Sequence, residues 1–168
     1  LGLMILSRVE GRTPPLSPLA QDERARQGAF AAWLEQFGQE DPAYGERLTE
    51  WLRHHRFQVV PRPDFMRLAR EWAPLVAALK LYGEPDPVEL TPDQAEQLAL
   101  VRPLLHRYQA QLRERGDIDF DDMIEKATHY VRQGRFEVTW RHVLVDEFQD
   151  ISAPRAELLK ALRDAAPG

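Results

Sequence analysis

An apolar run, Val143-Leu144-Val145, ends in two adjacent acids, Asp146 and Glu147, and Phe148-Gln149-Asp150 completes the stretch. Carboxylates at the C-terminal end of a buried strand face the crevice in which open α/β sheets hold their ligands. There Asp146 can hold Mg²⁺ through the ion's own waters, because magnesium is a hard cation that keeps much of its hydration shell. Glu147, one residue on, can polarise a water for attack on a phosphoryl group. Taken alone the pair has a plainer reading, since acids are common turn residues at strand ends.

Other chemistry-bearing residues also have two readings. Asp119, Asp121 and Asp122 invite a second metal, but acids at that spacing before Met123 and Ile124 fit a helix start, where they cap free amides and complement the helix dipole. His54 and His55 are neighbours on a predicted helix and face different sides of it, so they are poor chelators. Trp33, Trp51, Trp72 and Trp140 could stack on nucleic-acid bases. Their helical spacing with other apolar residues favours core positions. Segment 53–80 carries Arg53, Arg56, Arg62, Arg67, Arg70 and Lys80 against only Asp64 and Glu71, while acids are in excess over 84–125. A solvated helix face explains such runs; so would a surface for DNA phosphates, of which Arg53, Arg56 and Arg62 are the candidate contacts.

The elements that must position these residues are mostly helical. Phe30, Trp33, Leu34 and Phe37 recur at helical spacing within 21–37. Asp41-Pro42 is an N-cap with a favourable first-turn proline, opening a helix towards His55. After Pro61 and Pro63, the positions Phe65, Leu68, Trp72, Leu75, Val76 and Leu79 form one stripe, with Pro74 expected to kink it and Gly83 to stop it. Thr91 and Gln94 form a capping box ahead of Leu98, Val101, Leu105, Tyr108 and Leu112; Pro103 predicts a bend and Gly116 an end. Asp119 caps a further helix that Gly134 closes, and Ser152 caps one with Leu158, Leu159 and Leu162 inward. Only His142-Val143-Leu144-Val145 reads as a strand, of the kind buried on both faces in a parallel sheet. Residues 11–18, with Pro14, Pro15 and Pro18, read as a linker.

The bulk numbers set limits. At 168 residues, 43% apolar and 29% charged, the chain is an ordinary globular sequence of one domain, or one domain and part of another. No apolar run approaches the roughly 20 residues that span a bilayer, so no membrane is expected. Leu1 to Leu6 lacks the basic flank and cleavage site of a signal peptide. Without cysteine there is no disulfide framework or thiolate metal site, which fits a cytoplasmic protein. A net charge of −5 argues weakly against nucleic acid, although net charge says little about distribution.

Two stretches carry a resemblance. Asp146-Glu147-Phe148-Gln149-Asp150, followed by Ile151-Ser152 and Glu157-Leu158-Leu159-Lys160, resembles the Walker B segment, motif II, of UvrD/Rep-type superfamily-one DNA helicases. Ile118-Asp119-Phe120-Asp121-Asp122-Met123-Ile124 looks like the segment preceding that motif in the same family. Gly134-Arg135-Phe136 and Trp140-Arg141-His142 look most like the family's helicase IV branch, and Leu1-Gly2-Leu3 resembles the helix after its Thr-x-His motif. The resemblance implies that Asp146 coordinates Mg²⁺, that Glu147 is the catalytic base, and that Gln149 senses the γ-phosphate of ATP and couples it to DNA movement. It implies ATP-dependent unwinding, with single-stranded and junction DNA as partners.

The expected fold is mainly α, a helical insertion domain attached to a partial RecA-like α/β segment. The start helix falls at 1–10, the insertion at 11–117, and the RecA-like segment with Walker B at 118–168. No Gly-x-x-x-x-Gly-Lys-Ser/Thr loop occurs, so these 168 residues alone are expected to be inactive on ATP. Two alternatives stay open: a helical module that docks a protein or RNA polymerase, and a non-catalytic structural remnant. An unpaired strand at 142–145 would either fold back on the helices or pair two chains into a homodimer, and the dimer is the preferred expectation.

Overall fold

The computed structural model describes residues 1–57, 59, 60 and 63–166, with the backbone alone at 150. Among them the chain is mainly helical and divides into two compact units. Pro18–Glu114 forms one, and Leu1–Ser17 joins Arg115–Gly168 in the other.

The continuous unit holds α2 (Pro18–Gln21), α3 (Glu23–Glu40), α4 (Pro42–His54), α5 (Phe65–Tyr82) and α6 (Pro92–Arg115). Its helix starts are chemically specified. Asp22 accepts from the amides of Arg24 at 2.8 Å and Ala25 at 3.2 Å, and Asp41 does the same for Ala43 at 3.0 Å and Tyr44 at 3.2 Å. Each carboxylate thereby satisfies amides that the first helical turn leaves free. At α6 the Gln94 side chain accepts from the Thr91 amide at 2.9 Å, and the Thr91 hydroxyl accepts from the Gln94 amide at 3.3 Å. Pro74 and Pro103 lie inside α5 and α6, each of which remains a single helix.

The core of this unit gathers Phe30, Trp33, Leu34, Leu48, Trp51, Leu52, Leu68, Trp72 and Leu100. Three of the four tryptophans are therefore packing residues, not stacking platforms. Trp51 and Trp72 meet edge-on with centroids 5.3 Å apart, a geometry that aromatic quadrupoles favour. Tyr44 donates from its hydroxyl to the Leu100 carbonyl at 2.8 Å, tying α4 to α6, and burial raises its pKa well above the usual phenol range. Gly38 and Gly45 meet across the turn at Asp41. A Cβ at Gly45 would stand 2.8 Å from the Gly38 carbonyl oxygen, so these two helices approach closely only without a side chain there.

The other unit is built from α1 (Gly2–Glu10), α7 (Phe120–Arg132) and α8 (Ala153–Ala165). Ile5 and Leu6 pack with Ala127, Tyr130, Val131, Leu158, Ala161 and Leu162, and Phe136 and Val138 are buried with them. The proline-rich residues 11–18 do more than link. Leu16 and Ile118 form a parallel bridge, in which the Ser17 amide donates to Ile118 O at 2.8 Å and the Ile118 amide to Pro15 O at 3.0 Å.

The strand expected at 142–145 is absent. These residues are irregular chain, with Leu144 96% exposed and Val143 and Val145 partly so. A parallel-sheet strand exists through neighbours on its two edges. Among the described residues no β-strand stands beside it, and the Leu16–Ile118 bridge is the only β pairing.

Candidate nucleotide-hydrolysis loop

The acid pair lies on the chain between α7 and α8. Phe136 and Val138 anchor its approach in the core, and the rings of Phe136 and Trp140 stand 5.8 Å apart. Beyond Trp140 the chain runs into solvent, so Asp146, Glu147 and Gln149 are all exposed. Phe148–Asp150 closes into one 3₁₀ turn before α8. Proline at the start of α8 fits its first turn, but the Ser152 hydroxyl makes no cap bond, unlike the capping serine the sequence suggests.

The loop has a defined internal geometry. Glu147 has φ 48° and ψ 46°, the left-handed region that side chains other than glycine's rarely adopt. Its amide donates to Asp146 Oδ1 at 2.9 Å, and the Gln149 side-chain amide donates to the Glu147 carboxylate. All three predicted residues of the Asp-Glu-x-Gln pattern are thus joined, with Glu147 at the centre. The two acids offer oxygen donors of the kind a hard cation takes.

The flanking helices are fastened by ion pairs that spacing alone does not reveal. Glu157 of α8 accepts from Lys160 at 2.8 Å and from Arg132 of α7, and these bonds hold its pKa below the usual carboxylate range. Glu10 of α1 pairs with Lys126 at 2.8 Å and accepts from the Tyr130 hydroxyl at 2.7 Å, bonds that lower its pKa. The second-metal reading of the Asp119 cluster gives way to its alternative. Asp119 Oδ1 accepts from the amides of Asp121 at 3.0 Å and Asp122 at 2.9 Å, and Asp122 returns a bond to the Asp119 amide at 3.1 Å. This is a reciprocal cap on α7. No group of three or more potential metal ligands occurs among the described residues.

The basic stripe is dispersed. Arg53 lies in the last turn of α4 and Arg56 just beyond it at φ 59°, both exposed. Arg62 falls outside the described residues. Arg67 is occupied, paired with Glu71 at 3.0 Å and placed over the Phe57 ring at 4.4 Å. His55 is also engaged, stacked on Trp51 with centroids 3.8 Å apart and 3.2 Å from Asp93, while His54 stays exposed.

The Asp119 cap, the irregular 142–145 segment and the Asp146-Glu147-x-Gln149 loop fall in a region with recognisable relatives. The UvrD/REP helicase N-terminal domain matches residues 69–167, more than half of the chain. DNA helicase IV of Escherichia coli (strain K12) is 32% identical over 178 residues, an alignment covering 97% of this chain and 26% of that protein. The chain thus spans about a quarter of the length of this curated relative. No solved structure gives a significant match. On the strength of the match over 69–167, the chain belongs to the UvrD/Rep helicase family.

Proposed function

We propose that the chain carries the metal- and water-handling side of an ATP site in a motor that moves along single-stranded DNA and unwinds duplex. The observation that supports this most is the joined Asp146, Glu147 and Gln149 loop in a chain of this family. On this reading 118–168 contributes a Walker B segment to a RecA-like domain, and the helical unit is its insertion. The similar protein named DNA helicase IV agrees with DNA as partner.

The residues fit Mg²⁺. Magnesium is held by one or two carboxylates plus waters and substrate phosphates, and Asp146 and Glu147 supply carboxylates of that kind. Asp146 is the residue that would hold the ion, whose charge offsets that of the phosphates when bound. Glu147 accepts a proton from the attacking water. Gln149 keeps the Glu147 carboxylate oriented through its side-chain amide and, once ATP binds, answers the γ-phosphate. Arg53 and Arg56, exposed on the helical unit, are the proposed DNA-backbone contacts, with Arg62 a third by sequence.

The test is DNA-stimulated ATP hydrolysis by the full-length protein. Glu147→Gln removes the base and leaves Asp146, so turnover should fall by about 10²–10⁴-fold while ATP binding persists. Near-normal turnover of that variant would overturn the assignment. The 168 residues alone, which contain no phosphate-cradling Gly-Lys loop, should show no DNA-stimulated hydrolysis.

A further inference from the structure

We propose that the surface formed by the end of α1, the end of α7 and the chain from Gly134 to Arg141 binds a single-stranded nucleic acid through its phosphates and one stacked base. Arg8, Arg12, Arg135 and Arg141 supply the charge, and Trp140 supplies the ring. All five belong to the unit of α1, α7 and α8, whereas Arg53 and Arg56 belong to the helical unit.

The surface is built from the end of α7. Gly134, at φ 67°, turns the chain out of the helix, and the Arg135 amide then donates to the Tyr130 carbonyl at 2.9 Å. The Arg135 guanidinium lies over the Tyr130 ring, 4.3 Å from its centroid. Phe136 is buried, and Arg8 of α1 stands over its ring at 5.9 Å. Trp140 packs on the same Phe136 yet stays partly exposed.

The charge here is unbalanced. Glu10 is already taken by Lys126 at 2.8 Å and the Tyr130 hydroxyl at 2.7 Å; these bonds, and then the nearby charge of Arg12, lower its pKa. Arg8, Arg12, Arg135 and Arg141 are exposed and in no ion pair among the described residues, and Glu137 is the one acid of the 134–141 stretch. The helical unit treats stacked arginines differently. There Arg67 over Phe57 pairs with Glu71, and Arg107 over Trp33 pairs with Glu114. Arg8 and Arg135 have the aromatic support without the acid, so their guanidinium forks are held and unfilled. Such forks meet phosphate oxygens two bonds at a time.

Trp140 selects among anionic ligands. An acidic peptide would answer the arginines but not the indole, and a duplex keeps its bases stacked inside. A single strand offers phosphates to the cations and an unstacked base to the ring. The chain's net charge of −5 does not oppose this, because a local field governs the contact.

The experiment titrates the chain into fluorescein-labelled oligothymidylate of about 20 nucleotides at low salt, read by anisotropy. Arg8→Gln with Arg135→Gln should weaken binding by about tenfold or more. It should also flatten the log–log salt dependence by roughly 1.4, for two single-strand contacts of about 0.7 each. Arg24→Gln with Arg113→Gln removes the same charge from exposed sites of the helical unit and should change binding by less than about twofold. Trp140→Leu should weaken binding by about tenfold, and Trp140→Phe, which keeps a stacking ring, should restore most of it. Circular dichroism would check that each variant folds. Equal loss from the two arginine pairs would reduce the effect to bulk charge and overturn the proposal. So would unchanged binding by Trp140→Leu, or no binding by the unaltered chain. Displacement by polyglutamate as readily as by unlabelled oligothymidylate would assign the surface to an acidic protein segment instead. A preference for duplex of the same length would refute the stacked base. Arg53→Gln with Arg56→Gln reads the helical-unit contacts separately, so the two assignments fail independently.

Discussion

At Glu147 the carboxylate's position rests on a backbone that its own side chain disfavours. A left-handed residue other than glycine costs about 1 kcal/mol, and an exposed loop has little packing to offset that. Glu147→Gly should therefore leave the chain more stable than Glu147→Ala by roughly 1 kcal/mol in urea unfolding, although both remove the proposed base. An alanine variant as stable as the glycine one would mean that the loop relaxes out of this conformation in solution. Glu10 sets a different balance. Its carboxylate is 14% exposed and accepts from Lys126 and the Tyr130 hydroxyl, so its pKa is held below the usual value. A depressed carboxylate contributes stability above its unfolded pKa and loses it as pH falls through the folded one. Glu10→Gln should thus destabilise the chain by about 1–2 kcal/mol at neutral pH, less any share that water screens at the half-exposed Lys126. The gap between the two proteins should close below about pH 4. A gap that stays constant down to pH 3 would sink the linkage.

Among the helices, the close pass of α3 and α4 gives a paired test from two glycines. Gly45→Ala places a methyl 2.8 Å from the Gly38 carbonyl, so the helices must part, at about 1–3 kcal/mol. Gly28→Ala, also helical, meets nothing within 4 Å and should instead stabilise by about 0.5–1 kcal/mol through helix propensity. Thermal unfolding of the two variants should move in opposite directions, and a shared direction would contradict the packing. Helix starts of this kind were legible because their information is local. Asp41-Pro42, Thr91 with Gln94, and Asp119 with Asp122 each act within one turn, and the structure makes the bonds their spacing implies. The tryptophan core was legible from periodicity for the same reason. The 142–145 segment was misread because a strand's stability resides in its neighbours, which no pattern inside four residues can supply. The acid pair and Gln149 could be found by motif, but the Gln149-to-Glu147 bond depends on a left-handed backbone at a glutamate, for which no residue type gives warning. Nor could spacing show that Arg47 pairs with Glu96, forty-nine positions on.

For the molecule as a whole, the exposed Val143, Leu144 and Val145 predict self-association of the isolated chain, since an unpaired apolar segment is a template for a second copy. Sedimentation should show a concentration-dependent dimer that Leu144→Lys suppresses; a monomer at all concentrations, or a dimer indifferent to that change, would refute pairing there. The other large-scale feature is how the chain passes between its two units. It leaves one unit after Ser17 and returns at Arg115, and the Leu16–Ile118 bridge fastens the point of exit to the point of return. Everything between is a closed loop. If the helical unit melts while the bridge holds, its roughly one hundred residues lose the freedom of their ends, an entropic penalty of about 4 kcal/mol on the unfolded loop. If the helical unit stays folded, it delivers both ends of the bridge together and spares the other unit the search for that contact. Two backbone hydrogen bonds, from Ser17 and Ile118, are what close this loop.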